Sequence, residues 1–529
     1  MQRLLIIVTL CLFSPVIASA ELALPNVFSD HMVLQREQAV SIWGTATPGS
    51  RVKANFKGQQ KSTDTNTAGR WHVRISTGKA DGQGAALTIQ SGSQTVVIED
   101  VLVGEVWLAS GQSNMVFSMN RVPSYAEIIA TSAYPQIRMF NAPNVTAVEP
   151  QNNIEGKWST CSPATVPGYS AVAFFFARKL HQELEVPIGV IKSAWGGKPV
   201  ETFTSRKALQ TLPGTKALVE ATLRADAAYD EVTAQTAYQR RLAKWKTVAS
   251  ERRTQPAAER KRLPRKPATP KRPLTTEGKP GVLFNSMIHP FIGFTIRGVI
   301  WYQGEANAKP GAVPYDQTLP LMIHDWRQRW NDDFSFYFVQ LANFRAPSTK
   351  PGTPDLWALL QDRMRQILQT TPKTGMAVIN DVGEAKDIHP KNKKDPGERL
   401  ARWALAKDYG YDIVYSGPLY RSSEVKDGAI RVTFDQCGDG LRARDGGILK
   451  RFEISGDDRA WYWADANVDG TDGVLVSSAR VPQPVAVRYA WAANPQGANL
   501  VNSENLPASI FRTDNWDDVE ALPIPGAIK

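Results

Sequence analysis

From residue 22 to about residue 100, apolar and polar positions alternate in short runs. Residues 39–44, 51–56, 71–75 and 86–90 each carry a period of two, with turn residues such as Pro48-Gly49 and Asp81-Gly82 between them. Strands of this length and spacing predict a small β-sandwich. The pattern changes at Val101. Strand-like apolar runs at 103–110, 187–193, 298–302, 336–342 and 375–380 now alternate with helical stretches at 170–185, 315–330, 356–371 and 396–409. That alternation predicts an α/β region built on a parallel sheet. From Tyr411 the pattern is β-like again, with 430–434, 452–454 and 485–491 alternating or continuously apolar. A second all-β region beside the α/β part is expected.

One segment fits neither pattern. Residues 206–280 interrupt the α/β alternation: 217–253 is rich in Ala, Arg, Lys, Glu and Gln and predicts helix, while 254–280 is rich in Pro, Lys and Arg and predicts an extended return. This segment also changes the meaning of the chain's charge. A net +11 suggests a polyanion partner, yet 18 Lys and Arg against 7 Asp and Glu in the insertion account for the whole excess. The rest is neutral, so nucleic-acid binding is not expected of the main body. The insertion is either a solvated helical arm or a contact for a polyanion or the cell envelope.

The first 20 residues have the form of a secretory signal: Arg3, an apolar run from Leu4 to Phe13, and Ala18-Ser19-Ala20 before Glu21. Ser14-Pro15 interrupts the run well short of the roughly 20 apolar residues a membrane span needs. A periplasmic or secreted chain without a transmembrane segment is therefore expected. Cys11 leaves with the signal; Cys161 and Cys437 remain, either paired or free and buried. No His or Cys spacing suits a metal. At 529 residues, two to four domains are expected.

The candidate chemistry gathers where the strand-like runs end, which in open α/β sheets is where ligands bind. The first run ends in Gly111-Gln112-Ser113-Asn114-Met115, a strand-to-helix turn that can present a serine hydroxyl. The second leads into Ala194-Trp195-Gly196-Gly197, the third into Gln303-Gly304-Glu305, and the fifth into Asp381 and then Asp387-Ile388-His389-Pro390. A serine hydroxyl needs a base, and the base needs an orienting group. His389 is the candidate base and Asp387 the candidate orienter. Backbone N–H groups of Ser113 and of Gly196 or Gly197, with the Gln303 amide, are candidate oxyanion donors. Each feature alone is ordinary: Gly196-Gly197 is a turn, Gln303 with Glu305 a buried pair, His389 a loop residue. Trp107, Trp195, Trp301 and Tyr302 are sugar-pocket or sheet-core residues. His31 and His72 are expected to be structural, and His181 and His324, on helical stretches, to be ordinary surface or interface residues.

With these residues assembled, the chain resembles the sialate O-acetylesterase family of the SGNH hydrolase superfamily. The resemblance rests on Leu24-Pro25-Asn26-Val27-Phe28-Ser29-Asp30-His31-Met32-Val33-Leu34-Gln35-Arg36, Ala109-Ser110-Gly111-Gln112-Ser113-Asn114-Met115, Ser193-Ala194-Trp195-Gly196-Gly197, Leu283-Phe284-Asn285-Ser286-Met287-Ile288, Trp301-Tyr302-Gln303-Gly304-Glu305-Ala306-Asn307 and Asp387-Ile388-His389-Pro390. It implies a metal- and cofactor-free serine esterase that removes acetyl groups from sugars. Ser113 would be the nucleophile and His389 the base, with Gly197 or its neighbour and Gln303 at the oxyanion. Asn114, Trp195, Glu305 and Asn285 are substrate-binding candidates. The superfamily places its acid three residues before the histidine, where this chain has Lys386. Asp387 is two before, and Asp381, Glu384, Glu305 or no acid at all are the alternatives. Lys198 stands where similar proteins often carry a small hydroxyl residue.

The fold expected is thus an SGNH-type three-layer α/β/α domain with a parallel sheet, residues 101–205 and 281–410. It is flanked by β-sandwich-like regions at 21–100 and 411–529 and interrupted by the helical basic insertion at 206–280. An acetylated carbohydrate is the expected partner. A lipase- or thioesterase-like hydrolase on the same site, and a non-enzymatic glycan-binding envelope protein, are the competing functions.

Overall fold

A computed structural model describes residues 21–256 and 262–516. The proposed signal segment, with Cys11, lies outside the described residues.

The N-terminal strands are β1 (Val33–Gln35), β2 (Ala39–Thr45), β3 (Arg51–Phe56), β4 (Gln59–Asp64), β5 (Arg70–Ser76) and β6 (Asp81–Ser91). Their burial follows the sequence alternation: in β3, Val52, Ala54 and Phe56 are buried while Arg51, Lys53 and Asn55 face solvent, as a sheet with one wet face requires. β4 carries no apolar alternation to announce it, because Gln59–Asp64 leans on β3 as an edge strand and buries little.

β7 (Gln94–Gly111) spans 18 residues and joins the two halves of the sheet system. Its first part pairs antiparallel with β6, and residues 102–104 pair with β1. The boundary expected between residues 100 and 101 therefore lies inside one strand. Beyond β7 the chain forms α1 (Ser113–Val116), α2 (Tyr125–Ala130), β8 (Tyr134–Asn141), β9 (Trp158–Cys161), α3 (Ala171–Leu184) and β10 (Ile188–Ala194). The insertion gives α4 (Arg206–Leu209), α5 (Pro213–Ala227) and α6 (Glu231–Thr254). Then come β11 (Gly298–Tyr302), α7 (Tyr315–Trp330), β12 (Ser335–Val339), α8 (Leu356–Thr370), β13 (Thr374–Ala377) and α9 (Lys394–Lys407).

The central order is β13-β12-β11-β7-β10-β8-β9, parallel throughout except for the antiparallel edge strand β9. Trp107, Trp301, Tyr302, Phe336 and Phe338 are fully buried along it. Each such aromatic contributes about 2–3 kcal/mol of transfer free energy. Trp107, Trp301 and Tyr302 are thus sheet core, and of the four aromatics flanking the motifs Trp195 alone is partly exposed. Glu105, fully buried on β7, is held by Arg297, Gln35 and Arg36. Burial raises its pKa, but the two guanidiniums and Gln35 outweigh that and hold it below the usual carboxylate range. This cluster ties the N-terminal segment to the sheet.

The helix expected over 217–253 is broken into α5 and α6 at Asp230, whose carboxylate caps α6 by accepting the Thr233 N–H. The described part of the basic return is fastened rather than loose. Arg272 makes a forked ion pair with Asp226, and Trp245 Nε1 donates to the Pro264 carbonyl. The C-terminal residues form two four-stranded antiparallel sheets and a small two-stranded one between Leu419 and Arg512. Cys161 and Cys437 are both free and buried, in separate cores. Among the described residues no helix is long and apolar enough to cross a membrane.

Candidate active site

Three parallel strands end at one rim. β7 stops at Gly111, where φ is +134° and an added Cβ would lie 2.2 Å from the Tyr302 carbonyl. Only glycine fits there. The chain then turns into α1, with Ser113 as its first residue. The neighbouring β10 delivers Ala194 and Trp195, and Trp195 N–H donates to the Gly111 carbonyl. Gly196 runs beside the serine: a Cβ at Gly196 would be 3.3 Å from Ser113 Cβ.

From the far side of the sheet the loop after β13 reaches over. His389 Nε2 lies 2.9 Å from Ser113 Oγ, across 276 positions of sequence. Asp387 Oδ1 lies 3.3 Å from His389 Nδ1 and also accepts the His389 backbone N–H at 2.9 Å. A two-residue offset therefore suffices to bring the acid to the ring, because the same oxygen serves as a local turn cap. That N–H donation, with the nearby imidazole, holds Asp387 below the usual carboxylate range. The other acids are engaged elsewhere. Asp381 is clamped by Arg399 and Arg444, and Glu384 closes the loop on Lys391. Glu305 faces Asn114.

Several residues expected at the substrate instead brace the site. Gln303 is fully buried, and its Nε2 lies within reach of Gln112 Oε1, the Lys198 carbonyl and Asn307 Oδ1, at 2.8–3.2 Å. Its Oε1 accepts the Tyr315 hydroxyl. With both amide hydrogens committed, it locks the strand ends together and does not offer an oxyanion donor in this arrangement. Asn285, also buried, donates to the carbonyls of Val148 and Ala147 and pins that loop, away from the rim. Asn114 is buried beneath Ser113. Its Nδ2 donates to Glu305 Oε1 and the Ile388 carbonyl, and its Oδ1 accepts from Lys393 Nζ.

Lys393 had no place among the sequence candidates. Its side chain is fully buried, donates also to the Pro390 carbonyl, and lies 4.6 Å from the centre of the Phe117 ring. Burial pushes its pKa down to about 7, against the opposing pull of Glu305. Burial likewise raises Glu305, against the opposing pull of backbone N–H groups at the Gly304-Glu305 turn, the Asn114 amide and Lys393. Gln112, Glu201 and Asn307 were missed as well; Asn307 Nδ2 donates to both Glu201 oxygens, extending the network from Gln303. At the open side, the Lys198 ammonium lies 5.4 Å from the Trp195 ring centre and 3.7 Å from Glu277 of the basic return. The insertion thus touches the Gly196-Gly197 loop.

No protein-family model matches the chain. The sialate O-acetylesterase of Mus musculus is 30% identical, over 91% of this chain and 92% of its own length. The chain belongs to the sialate O-acetylesterase family. The Homo sapiens member is 28% identical over 88% of this chain and 87% of its own. Among solved structures, a carbohydrate acetylesterase from Xanthomonas citri superposes with a TM-score of 0.78 at 34% identity, covering 94% of this chain and all of that one. The family resemblance expected from the motifs thus extends through both flanking β regions.

Proposed function

We propose that this chain is a serine esterase that removes O-acetyl groups from sugars. The observation that carries the reading is the 2.9 Å contact between Ser113 Oγ and His389 Nε2 at a rim where parallel strands end. In the first half-reaction Ser113 gives its proton to His389 Nε2 as Oγ attacks the acetyl carbonyl carbon. The oxyanion that forms is met by the backbone N–H groups of Ser113 and of Gly196 or Gly197. Collapse breaks the ester bond; His389 returns the proton to the departing sugar oxygen, leaving an acetyl group on Ser113. Water, giving a proton to His389, then attacks the acetyl carbon. Acetate leaves and the proton goes back to Ser113. Asp387 holds the His389 Nδ1–H and favours the imidazolium. Trp195 and Lys198 flank the approach and are the side chains on which sugar selection rests.

The same reading makes residues 101–205 and 281–410 an SGNH-type three-layer domain. Residues 21–100 and 411–529 flank it, 206–280 interrupt it, and 1–20 direct secretion. Acetate release from a panel of O-acetylated glycans, sialylated and plant-derived, tests the activity; release from none of them rejects it. Chain length separates acetylesterase from a lipase- or thioesterase-like hydrolase. The p-nitrophenyl esters are expected to lose roughly tenfold or more in kcat/KM from acetate to hexanoate, and a profile rising with length favours the lipase-like reading.

The acid is the weakest member of the triad because Asp387 is 43% exposed and its contact with Nδ1 is long. Water can take over part of its role. Asp387→Asn is expected to lower kcat by about 30-fold, far less than loss of a buried triad acid. Asp381→Asn should leave the pH profile of kcat unchanged. Steady-state rates across pH check both, and a larger loss from Asp381→Asn would reassign the acid.

A further inference from the structure

A cavity of about 600 Å³ opens between the N-terminal strands and the segment following the basic return, and no residue around Ser113 lines it. Its walls include Trp43 on β2 and Trp71 on β5. Trp43 pairs opposite His72 across these strands, and its ring is fixed by an edge contact with Phe28, centroids 4.6 Å apart at 84°. It remains partly exposed to the cavity. Trp71 lies across Gly44, where a Cβ would come within 2.9 Å of the indole. Trp71 is buried, 3% exposed, and closes the wall behind Trp43 without offering a polar group to the cavity.

The remaining polar groups suit hydroxyls. Asn66 uses its Oδ1 on the N–H groups of Ala68 and Arg70, and Asn153 uses its own on Asn26 and Ile154. Among the described residues neither Nδ2 has a partner, so both donors are left for a ligand. His289 Nδ1 faces the Gln151 carbonyl, which leaves Nε2 as an acceptor. Arg70 and Asp64 at the margin offset one another in charge. Aromatic wall, amide donors, an imidazole acceptor and no net charge match a neutral pyranose better than an anion or a lipid chain. The volume lies within the roughly 300–1,000 Å³ of small-molecule sites and admits a short oligosaccharide.

We propose that this cavity is a second carbohydrate-binding site, which holds a neutral stretch of glycan apart from the ester being cleaved. Trp43 provides the face on which a sugar ring stacks, and the two asparagine amides donate to its hydroxyls. His72, for which the sequence suggested no function, lines the same cleft.

The test is binding, measured on the Ser113→Ala protein so that turnover plays no part. An array of neutral xylo-, manno-, gluco- and galacto-oligosaccharides is probed, and the best ligand is titrated by calorimetry. Trp43→Ala is expected to weaken its Kd at least tenfold. His72→Ala, on an exposed position, should weaken it about threefold and guards against a folding artefact at Trp43. In the parent background Trp43→Ala should leave p-nitrophenyl acetate hydrolysis within twofold. Binding of no oligosaccharide below roughly 1 mM, or binding indifferent to Trp43→Ala and His72→Ala, overturns the proposal. So does binding abolished by Trp195→Ala, which would place the sugar at the Ser113 rim. Failure of the esterase reading would show separately, in the hydrolysis assay.

Discussion

Ser113→Ala lowers kcat/KM for p-nitrophenyl acetate by roughly 10⁴-fold or more and abolishes covalent labelling by a fluorophosphonate, while the circular dichroism and melting curve stay those of the parent. The size of the effect follows from what the hydroxyl does. In the proposed mechanism it is the atom that forms the new bond, and its 2.9 Å partner His389 has nothing to activate once it is gone. What survives is whatever backbone donors and site shape give to direct attack by water. The structural cost is small because Ser113 Oγ has no bonded partner apart from His389 among the described residues. His389→Ala should fall in the same range, and the double variant should be no worse than either single one, as expected of groups acting in one step. Activity of Ser113→Ala within tenfold of the parent would remove the serine mechanism. Retained fluorophosphonate labelling would place the nucleophile elsewhere.

The parts of this site visible in sequence are those tied to strand ends. Ser113, Gly196, Gln303 and the Asp387–His389 turn each follow an apolar run, and a parallel sheet brings the ends of such runs to one side. Roles were harder to read than positions. Gln303 and Asn114 have the right chemistry for touching substrate, and the sequence gives no measure of burial. Only the three-dimensional network shows their amides committed to Asn307, Glu305 and Lys393. β8 escaped notice because Pro135, Gln136 and Arg138 break its apolar run, and Arg138 is tolerated there by Asp100. Lys393 sits in Lys391-Asn392-Lys393-Lys394-Asp395, which has the composition of a solvated surface run. Nothing in its neighbours marks the one lysine that turns inward.

Ser113 and His389, the proposed catalytic pair, come from opposite ends of the α/β region, so something must hold their separation constant. The buried polar layer under the rim does this by bridging the backbones next to each. Asn114 follows Ser113 and donates to the Ile388 carbonyl, one residue before His389. Lys393 joins Asn114 to the Pro390 carbonyl, one residue after it. The histidine is thus braced on both sides from beneath the serine, and a single side chain closes the brace.

Lys393→Met tests that brace, with the second largest expected effect: kcat down about 100-fold and KM within threefold. Methionine keeps the length and the packing against Phe117 but removes every donor, so Asn114 Oδ1 and the Pro390 carbonyl lose their partner. Ser113 and His389 are then free to drift by a fraction of an ångström, which affects the chemical step more than binding. An unchanged kcat would show that the loop holds itself. A thermodynamic reading is independent of the assay. The groups facing Lys393 are Glu305, Asp387 and Glu384, with Arg121 opposing, and burial prevails to put its pKa at about 7. In the unfolded chain it is about 10.4. Between these values the unfolded state holds the extra proton, so Lys393 makes stability rise with pH there and has no such effect below about pH 7. The unfolding free energy of the parent minus that of Lys393→Met, from urea titrations at a series of pH values, should therefore climb from about pH 7 to 10. A difference that stays flat across that window would mean that Lys393 keeps its charge, paired to Glu305, and that the layer beneath the rim is ionic.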